Sequence, residues 1–344
     1  MQFAVTIMAS MLLVKRRLAT LIKRFKFEEL ESAVMPIFPE ISWTRVRSKL
    51  VKNHKNFTVV NALRVIEDVL EHVDLREKDL WDRLAMLEVI DISRHNKRKI
   101  WYGYELTGSN ETARLEKRDV QESIKEEFYS NGLNMAVKAT MYDNITFIYV
   151  KEEKKRRQSS VPTFFALFLG HKYFFCSRKI VPLDYIKVIA ISLGYENSKR
   201  IKLMGKDLKS LIKLLWFKQQ GTLHADYVSQ PPVFQPSDPV ISNNGVDYTQ
   251  SNQRKKYAER CFGKDPPTLE VLVIKGPKES IQHDSVASKL PSENSILMNW
   301  EFRSRNIARF LTALIEKGAF KPQLPDYISD LMILGKNELR LQTD

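Results

Sequence analysis

Apolar residues in the first part of the chain recur at helical spacing, with polar residues between them. In the first such stretch, positions i, i+3, i+4 and i+7 are occupied by Leu18, Leu21, Ile22 and Phe25. This spacing predicts an amphipathic helix that begins near Lys15. Residues 1–14 are interpreted as an extension that leads into this helix.

Four further short helices are predicted after the first. They are expected at residues 28–34, at 41–50, after Thr58 and after Asp74. Pro36 is expected to end the first of these four, because proline cannot continue a helix. Thr58 and Asp74 are predicted N-caps, since their side-chain oxygens can accept from backbone N–H groups of the first turn. The five helices predict a compact bundle over residues 15–99.

After residue 99 the apolar positions change to the alternation that is typical of strands. Strands are predicted at residues 100–106, 134–140, 145–151, 163–169, 173–177 and 200–204. Helices are predicted at residues 115–130, 183–193 and 206–219. Asp143-Asn144 and the stretch 170–172 are predicted hairpin turns. Residues 100–221 are therefore predicted to form an α+β domain, a mainly antiparallel sheet with helices on one face.

The last third of the chain begins with a segment of different composition. Residues 222–253 are rich in Pro, Ser, Asn and Gln and show no period, so a linker is predicted. Residues 254–344 are predicted to form a smaller α/β region, with strands 268–275 and 296–302 and a helix over 304–317. Because the first of these strands has no obvious cover at its edges and a region of this size has little core, we expect a partner to complete it. The predicted partner contacts are Phe310, Leu311 and Leu314.

Charge narrows the choice of partner. Lys and Arg number 55 against 41 Asp and Glu, a net charge of +14. This surplus favours a polyanion, nucleic acid before an anionic membrane surface. No apolar run is long enough to span a bilayer, and two cysteines indicate a reducing compartment.

The basic residues are clustered in both the bundle and the α+β domain. The clusters are residues 15–26, 45–55, 94–99, 154–157, 178–179, 199–218 and 254–260. Within the bundle, residues 15–55 are mainly basic and residues 67–91 mainly acidic, which predicts one basic and one acidic end. No zinc finger, basic zipper or RNP-type motif is present, so the pattern favours recognition of the phosphate backbone over base readout.

Sequence motifs for catalysis are absent. The chain has no Walker A sequence, no G-x-G-x-x-G and no nucleophile elbow, and its histidines and cysteines do not pair at metal-ligand spacing. We therefore predict a non-enzymatic protein without cofactor or metal. One alternative stays open: Asp143, Glu152 and Lys154 form a weak D…ExK pattern, typical of Mg²⁺-dependent nucleases.

Six segments, in this order and spacing, resemble centromere protein N, a kinetochore subunit. They are LATLIKRFKFEEL, RKIWYGYEL, MAVKATMYDNITFIYV, PTFFALFLGHKYFF, IAISLGYENSKRIKLMGKDLKSLIKLLWFKQ and RKKYAERCFGKDPPTLEVLVIK. The resemblance implies a pyrin-like death-fold bundle and an α+β domain shared with centromere protein L. It also implies a nuclear protein of the centromere and kinetochore. Such a protein binds the nucleosome with the centromeric histone variant, pairs with a centromere protein L homologue and joins other inner-kinetochore subunits.

The resemblance also implies which residues contact DNA. Carried onto this chain, they are Lys23, Arg24, Lys26, Lys52, Lys55, Lys99, Lys154, Lys155, Arg156, Arg157, Arg178, Lys179, Lys202 and Lys206. The histone contact of the family falls near Arg16 and Thr20, where the family has acidic residues and this chain has none. Either Glu28 or Glu29 takes over that contact, or variant recognition uses different chemistry.

Three rival functions remain at this point. The first is a nucleic-acid binder without histone specificity. The second is the metal nuclease. The third is a pyrin-like signalling module that oligomerises through its charged faces.

Overall fold

The computed structural model describes residues 2–73, 75–109, 120–153, 161–223, 233–235, 240–242, 245–247, 250–280, 295–320 and 323–341. Within them, helices combine with sheets of six, three and two strands. The predicted α+β class is therefore confirmed. The chain divides into two compact units, Met1–Arg98 with Leu106–Ser198, and Lys99–Glu105 with Lys199–Asp344.

The first unit begins with a helical bundle. Its helices are α1 (Gln2–Ile22), α2 (Trp43–Lys52), α3 (Val59–Glu71) and α4 (Glu77–Arg94). Residues 27–37 form short 3-10 and π turns, and they run through Pro36 where a helix stop was predicted. The predicted cap at Thr58 is confirmed, because its hydroxyl accepts from the backbone N–H of Asn61. Asp74 lies outside the described residues, and Arg76 precedes the first turn of α4.

The first helix is longer than the pattern predicted. It starts at Gln2, so the presumed extension continues the same helix. Val14, four residues before Leu18, is fully buried and extends the apolar face by one turn. The bundle core also holds Leu30, Phe38 and Ile66, all fully buried. Each such side chain contributes roughly 1.5–3 kcal/mol by leaving water.

The six-stranded sheet has the order β2-β3-β4-β5-β1-β6. Its strands are β1 (Trp101–Ser109), β2 (Met135–Tyr142), β3 (Ile145–Glu152), β4 (Thr163–Leu167), β5 (Tyr173–Cys176) and β6 (Tyr195–Gly205). The helices α5 (Val120–Ser130) and α6 (Leu183–Ser192) lie between them in sequence. The β2–β3, β3–β4 and β4–β5 pairs are antiparallel, as predicted.

The prediction that helices cover only one face of this sheet is wrong for its central strands. Every residue of β4 and β5, and residues 145–150 of β3, are buried. Successive strand residues point to opposite faces, so both faces are covered. Helix α4 of the bundle contacts β2 and β3, and Lys138 on β2 forms an ion pair with Asp82 on α4 at 3.2 Å.

The hairpin turn between β2 and β3 follows directly from its sequence. Asp143 and Asn144 both adopt left-handed backbone conformations, with φ of 56° and 61°. A two-residue turn of this type matches the right-handed twist of the flanking strands, and Asn and Asp tolerate positive φ better than other residues with a side chain. The predicted turn at this position is confirmed.

The second unit contains more helices and strands than the apolar pattern predicts. They are α7 (Leu208–Leu223), β7 (Val240–Ser242), β8 (Gly245–Asp247), α8 (Ser251–Phe262), β9 (Val271–Ser280), β10 (Ser295–Arg303), α9 (Ile307–Glu316), α10 (Asp326–Ser329), α11 (Leu331–Leu334) and β11 (Glu338–Arg340). The paired strands β7 and β8 lie inside the predicted linker. β9 pairs with β10 on one side and with β11 on the other. Its edges are therefore covered within the chain, contrary to the prediction.

One buried side chain ties three segments of the second unit together. Asn337 is fully buried, and its side-chain oxygen accepts from the Met204 backbone N–H at 2.9 Å. Its amide nitrogen donates to the backbone carbonyls of Met204 and Val271. Its own backbone N–H donates to the Lys202 carbonyl, and its carbonyl accepts from Val273. Asn337 thus bridges β6 and β9 by pairing with groups that a neighbouring strand would otherwise satisfy.

Candidate nucleic-acid interface

The predicted DNA contacts lie in both units. In the first unit, exposed side chains follow the ends of α1, α2 and β5; they are Lys23, Arg24, Lys26, Lys52, Lys55, Arg178 and Lys179. In the second unit, Lys202 and Lys206 are exposed and Lys99 is half-buried. Lys154, Lys155, Arg156 and Arg157 lie outside the described residues.

A network of charged groups surrounds Asp91, near the end of α4. Asp91 is almost completely buried, yet one of its oxygens pairs with Arg24 at 3.0 Å. The other oxygen contacts the His95 ring at 2.8 Å and Arg98 at 3.5 Å. We call these four residues the Asp91 cluster. A buried carboxylate requires such partners, because burying an unpaired charge is very costly.

The Asp91 cluster leaves positive charge at the surface. The Arg24 and Arg98 side chains are 48% and 51% exposed, and both pair with the same carboxylate, that of Asp91. One side of each guanidinium is fixed by the protein, and the rest of each side chain faces water. Guanidinium groups held in this way are suited to phosphate oxygens, because less rotamer entropy is lost on binding.

The chain between α1 and the next turn holds Arg24 in place. The Phe25 ring is buried and packs against the His95 ring, with centroids 5.4 Å apart. One residue later, the Lys26 backbone N–H donates to the Glu29 carboxylate at 2.7 Å. The Lys23 and Lys26 side chains, in contrast, have no carboxylate partner among the residues that the structure describes.

The predicted separation into a basic and an acidic end does not hold in space. Arg17 pairs with Glu88 at 2.8 Å, and Lys49 pairs with Asp68 at 2.7 Å. The packing of α1 against α4 and of α2 against α3 brings the acidic half of the bundle sequence beside the basic half. The hydrogen bond from Lys49 also lowers the pKa of the Asp68 carboxyl. These ion pairs neutralise part of the basic half, so a site for a polyanion requires a place where the cations outnumber the neighbouring carboxylates.

One such position lies between α2 and α3. A cavity of about 210 Å³ is lined there by Lys49, Lys55, Arg64 and Asp68, with Asn53 and Asn61 beside them. Three cations face one carboxylate, which is already paired. Lys52 and Lys55 are exposed at the end of α2, so this end of the bundle offers a second group of cations near a concave surface.

A different ionisable group, Glu88, is largely buried where the bundle meets the sheet, with its side chain 11% exposed. Burial raises the pKa of the Glu88 carboxyl, although Arg17 acts in the opposite direction. On the facing strand β3, burial and then Glu88 raise the pKa of Tyr149, and burial lowers the pKa of Lys151. The Lys151 ammonium also lies 4.8 Å from the centre of the Trp81 ring. Glu88 is thus a largely buried acid inside the first unit.

This arrangement predicts a specific pH dependence of stability. Since the folded protein holds the pKa of Glu88 above the ordinary 4.5, it binds more protons than the unfolded chain between that value and the raised pKa. The Glu88 contribution to the free energy of unfolding should therefore fall as pH rises through this window, and Glu88→Gln should remove that fall. Urea denaturation at a series of pH values measures it.

Glu40 serves as the control, because its pKa is shifted in the opposite direction to that of Glu88. Arg83 lowers the pKa of Glu40, so the Glu40 contribution is present above pH 4.5 and lost as pH falls through the lowered pKa. Glu40→Gln should therefore cost stability at neutral pH and little in strong acid. If both substitutions changed the pH profile in the same direction, this account of Glu88 would be wrong.

The residues at the expected histone contact carry no carboxylate. Arg16 and Thr20 are exposed, and the Thr20 hydroxyl donates to the Arg16 carbonyl at 2.8 Å. Of the two alternative acids, Glu29 is held by the Lys26 backbone N–H and lies 3.9 Å from the His95 ring. Glu28 is exposed. Glu28 is therefore the better placed of the two for an external arginine.

The structure does not bring Asp143 and Glu152 of the predicted nuclease pattern close together. Asp143 lies in the turn before β3 and Glu152 at the other end of that strand. Eight residues at ~3.3 Å each place them roughly 25 Å apart, too far to share a metal ion. Lys154 is outside the described residues. Elsewhere in the described part of the chain, no three His, Cys, Asp or Glu residues are arranged to hold a metal ion.

The three predicted partner contacts differ in accessibility. Leu311 is buried in the core of the second unit, and Leu314 is half-buried. Leu311 is therefore not available to a partner, because the apolar stripe of α9 faces the chain's own core. Phe310 is 44% exposed, so it alone of the three has a largely accessible side chain.

The chain matches no protein-family model and no curated protein. No helix among the described residues is long and apolar enough to cross a membrane.

Proposed function

We propose that this protein is a non-enzymatic subunit of the centromere that binds the nucleosome through the DNA backbone and a histone contact. The Asp91 cluster is the observation that carries the proposal. It presents Arg24, one of the residues that the resemblance to centromere protein N assigned to DNA, as a fixed and half-exposed guanidinium. The exposed Lys23 and Lys26 beside it extend the same cationic surface.

A second part of the proposal concerns the helical bundle. We propose that it is the pyrin-like domain of this family, and that its α1 end faces the nucleosome. Glu28 lies in the turn after α1, and we assign it the histone contact that the family makes with acidic residues. A carboxylate there pairs with an exposed histone arginine in a charge-assisted hydrogen bond.

The second unit is proposed to pair with a centromere protein L homologue, and this pair links to other inner-kinetochore subunits. Strand β10 lies at an edge of its sheet and exposes an unusual set of apolar side chains. They are Leu297, Met298, Trp300 and Phe302. An edge strand with contiguous exposed apolar residues is a template for a partner chain.

A gel shift with three probes tests the nucleosome proposal. The probes are nucleosomes with the centromeric histone variant, nucleosomes with the ordinary histone, and the same duplex of about 147 bp without histones. We expect the variant nucleosome to bind best, and Glu28→Gln to reduce its advantage about tenfold, because one charge-assisted hydrogen bond is lost. Glu31→Gln, at a neighbouring exposed acid, is the matched control.

The same experiment separates the alternatives. Equal affinity for naked DNA and both nucleosomes would favour a nucleic-acid binder without histone specificity, which the same cationic surface also supports. Loss of the variant preference in both Glu28→Gln and Glu31→Gln would overturn the assignment of Glu28.

A further inference from the structure

The second unit contains a cavity of about 640 Å³ that the proposed function does not use. It lies between the first turns of α7, the loop of residues 265–268 and the start of α9, and we call it the α7–α9 pocket. Its charged lining residues are Lys209, Lys213, Asp265, Arg305 and Arg309. Four cations thus face a single carboxylate.

We propose that the α7–α9 pocket binds an acidic peptide segment of a partner protein, one that carries an apolar side chain beside its carboxylates. This inference is independent of the nucleosome proposal. The volume lies within the range of about 300–1,000 Å³ that is typical of pockets enclosing a ligand. A single chain can enter such a concave space, whereas a DNA duplex presents its phosphates on a convex surface.

An ion pair inside the pocket is a model for the contact that a partner's carboxylate would make. The Asp265 carboxylate pairs with the Arg309 guanidinium at 3.1 Å, and both side chains are mostly exposed. A carboxylate from a partner can therefore replace Asp265 on Arg309 without disturbing the core.

Apolar groups complete the site. Pro266 and Pro267 are buried in the pocket wall, and the exposed Phe310 ring lies at its rim. On α7, the lining residue Lys213 lies 5.6 Å from the centre of the exposed Phe217 ring, which is outside the pocket lining. Cations next to aromatic rings suit a segment in which acidic and apolar residues alternate, since each finds a matching group.

Fluorescence anisotropy with the full chain tests this. The probes are a labelled peptide of Asp, Glu and Gly with one central Phe, its Asn/Gln analogue, and a short single-stranded oligonucleotide. We expect the acidic peptide to bind and the neutral analogue to fail. Lys213→Glu with Arg305→Glu should weaken peptide binding at least about thirtyfold, since charge-assisted contacts become repulsive.

Two variants control for net charge and for folding. Lys255→Glu with Lys256→Glu changes the same charge at exposed positions of α8 outside the pocket and should change affinity less than about threefold. Asp265→Asn should tighten binding, because the competing carboxylate is removed. Thermal melts followed by circular dichroism confirm folding.

Three results would overturn the proposal. The first is that the neutral analogue binds as tightly as the acidic peptide. The second is that the pocket variant and the α8 variant lose the same affinity for the peptide. The third is that the peptide does not bind, while the oligonucleotide binds and the pocket variant weakens its binding.

Discussion

Converting four exposed lysines of the bundle to glutamine is expected to weaken binding to nucleosomal DNA roughly thousandfold at 0.15 M salt. The four are Lys23, Lys26, Lys52 and Lys55. Each phosphate contact contributes about 0.9 to the slope of log K against log salt, so the slope should flatten by about 3.6. Titrations of labelled nucleosomes at several salt concentrations measure both quantities.

The matched control removes the same charge elsewhere in the first unit. Lys78, Lys125, Lys172 and Lys187 are exposed and were not assigned to DNA. Their conversion to glutamine should flatten the slope little. If both sets act alike, the net charge of +14 works as a diffuse field and the interface is misplaced.

The segment Lys154, Lys155, Arg156 and Arg157 extends the same test beyond the described residues. If it contacts phosphates, its neutralisation should flatten the slope by about the same 3.6, for all DNA sequences alike. A sequence-dependent loss with an unchanged slope would indicate base readout instead.

Asp91→Ala is expected to lower the free energy of unfolding by about 3 kcal/mol, a large fraction of the stability of a typical domain. The substitution removes the acceptor for Arg24, His95 and Arg98 together and leaves a small cavity at a buried position. Urea denaturation of the full chain, followed by circular dichroism, measures the change.

Asp82→Ala provides the comparison, because it removes an aspartate of the same helix. Asp82 pairs with Lys138, but half of its side chain is exposed to water. Exposed ion pairs contribute at most about 1 kcal/mol. Equal losses in the two variants would mean that the Asp91 cluster adds nothing beyond an ordinary surface pair.

Features set by local chemistry could be predicted from the sequence. The Thr58 cap needs only the hydroxyl and the next three residues, and the Asp143-Asn144 turn needs two residues that tolerate positive φ. The two covered faces of the sheet also have a signal in the sequence, contrary to the prediction of helices on one face. Residues 145–150 form a nearly unbroken apolar run, which is typical of a strand buried on both sides.

Features that depend on distant segments could not be predicted. The spacing of Asp91, His95 and Arg98 on and after α4 was visible, but nothing in it indicates that Arg24 completes the cluster from 67 positions away. The three residues of β11 are too few to show alternation, and their parallel pairing with β9 depends on the fold of the whole second unit. The basic and acidic halves of the bundle sequence likewise did not predict separate charged surfaces, because the folded helices place residues of the two halves side by side.

The position of Asn337 has a consequence for how the protein is made. Its side chain pairs with Met204, which precedes it by 133 positions. At a synthesis rate of about 5–20 residues per second, the two residues emerge from the ribosome roughly 7–27 s apart. During that interval the end of β6 lacks the groups that Asn337 supplies, and the start of β9 lacks them from the moment it has been synthesised. The hydrogen bonds of Asn337 therefore form only after residue 337 has been made, and a stop codon shortly before it would leave the backbone groups of Met204 and Val271 without these partners.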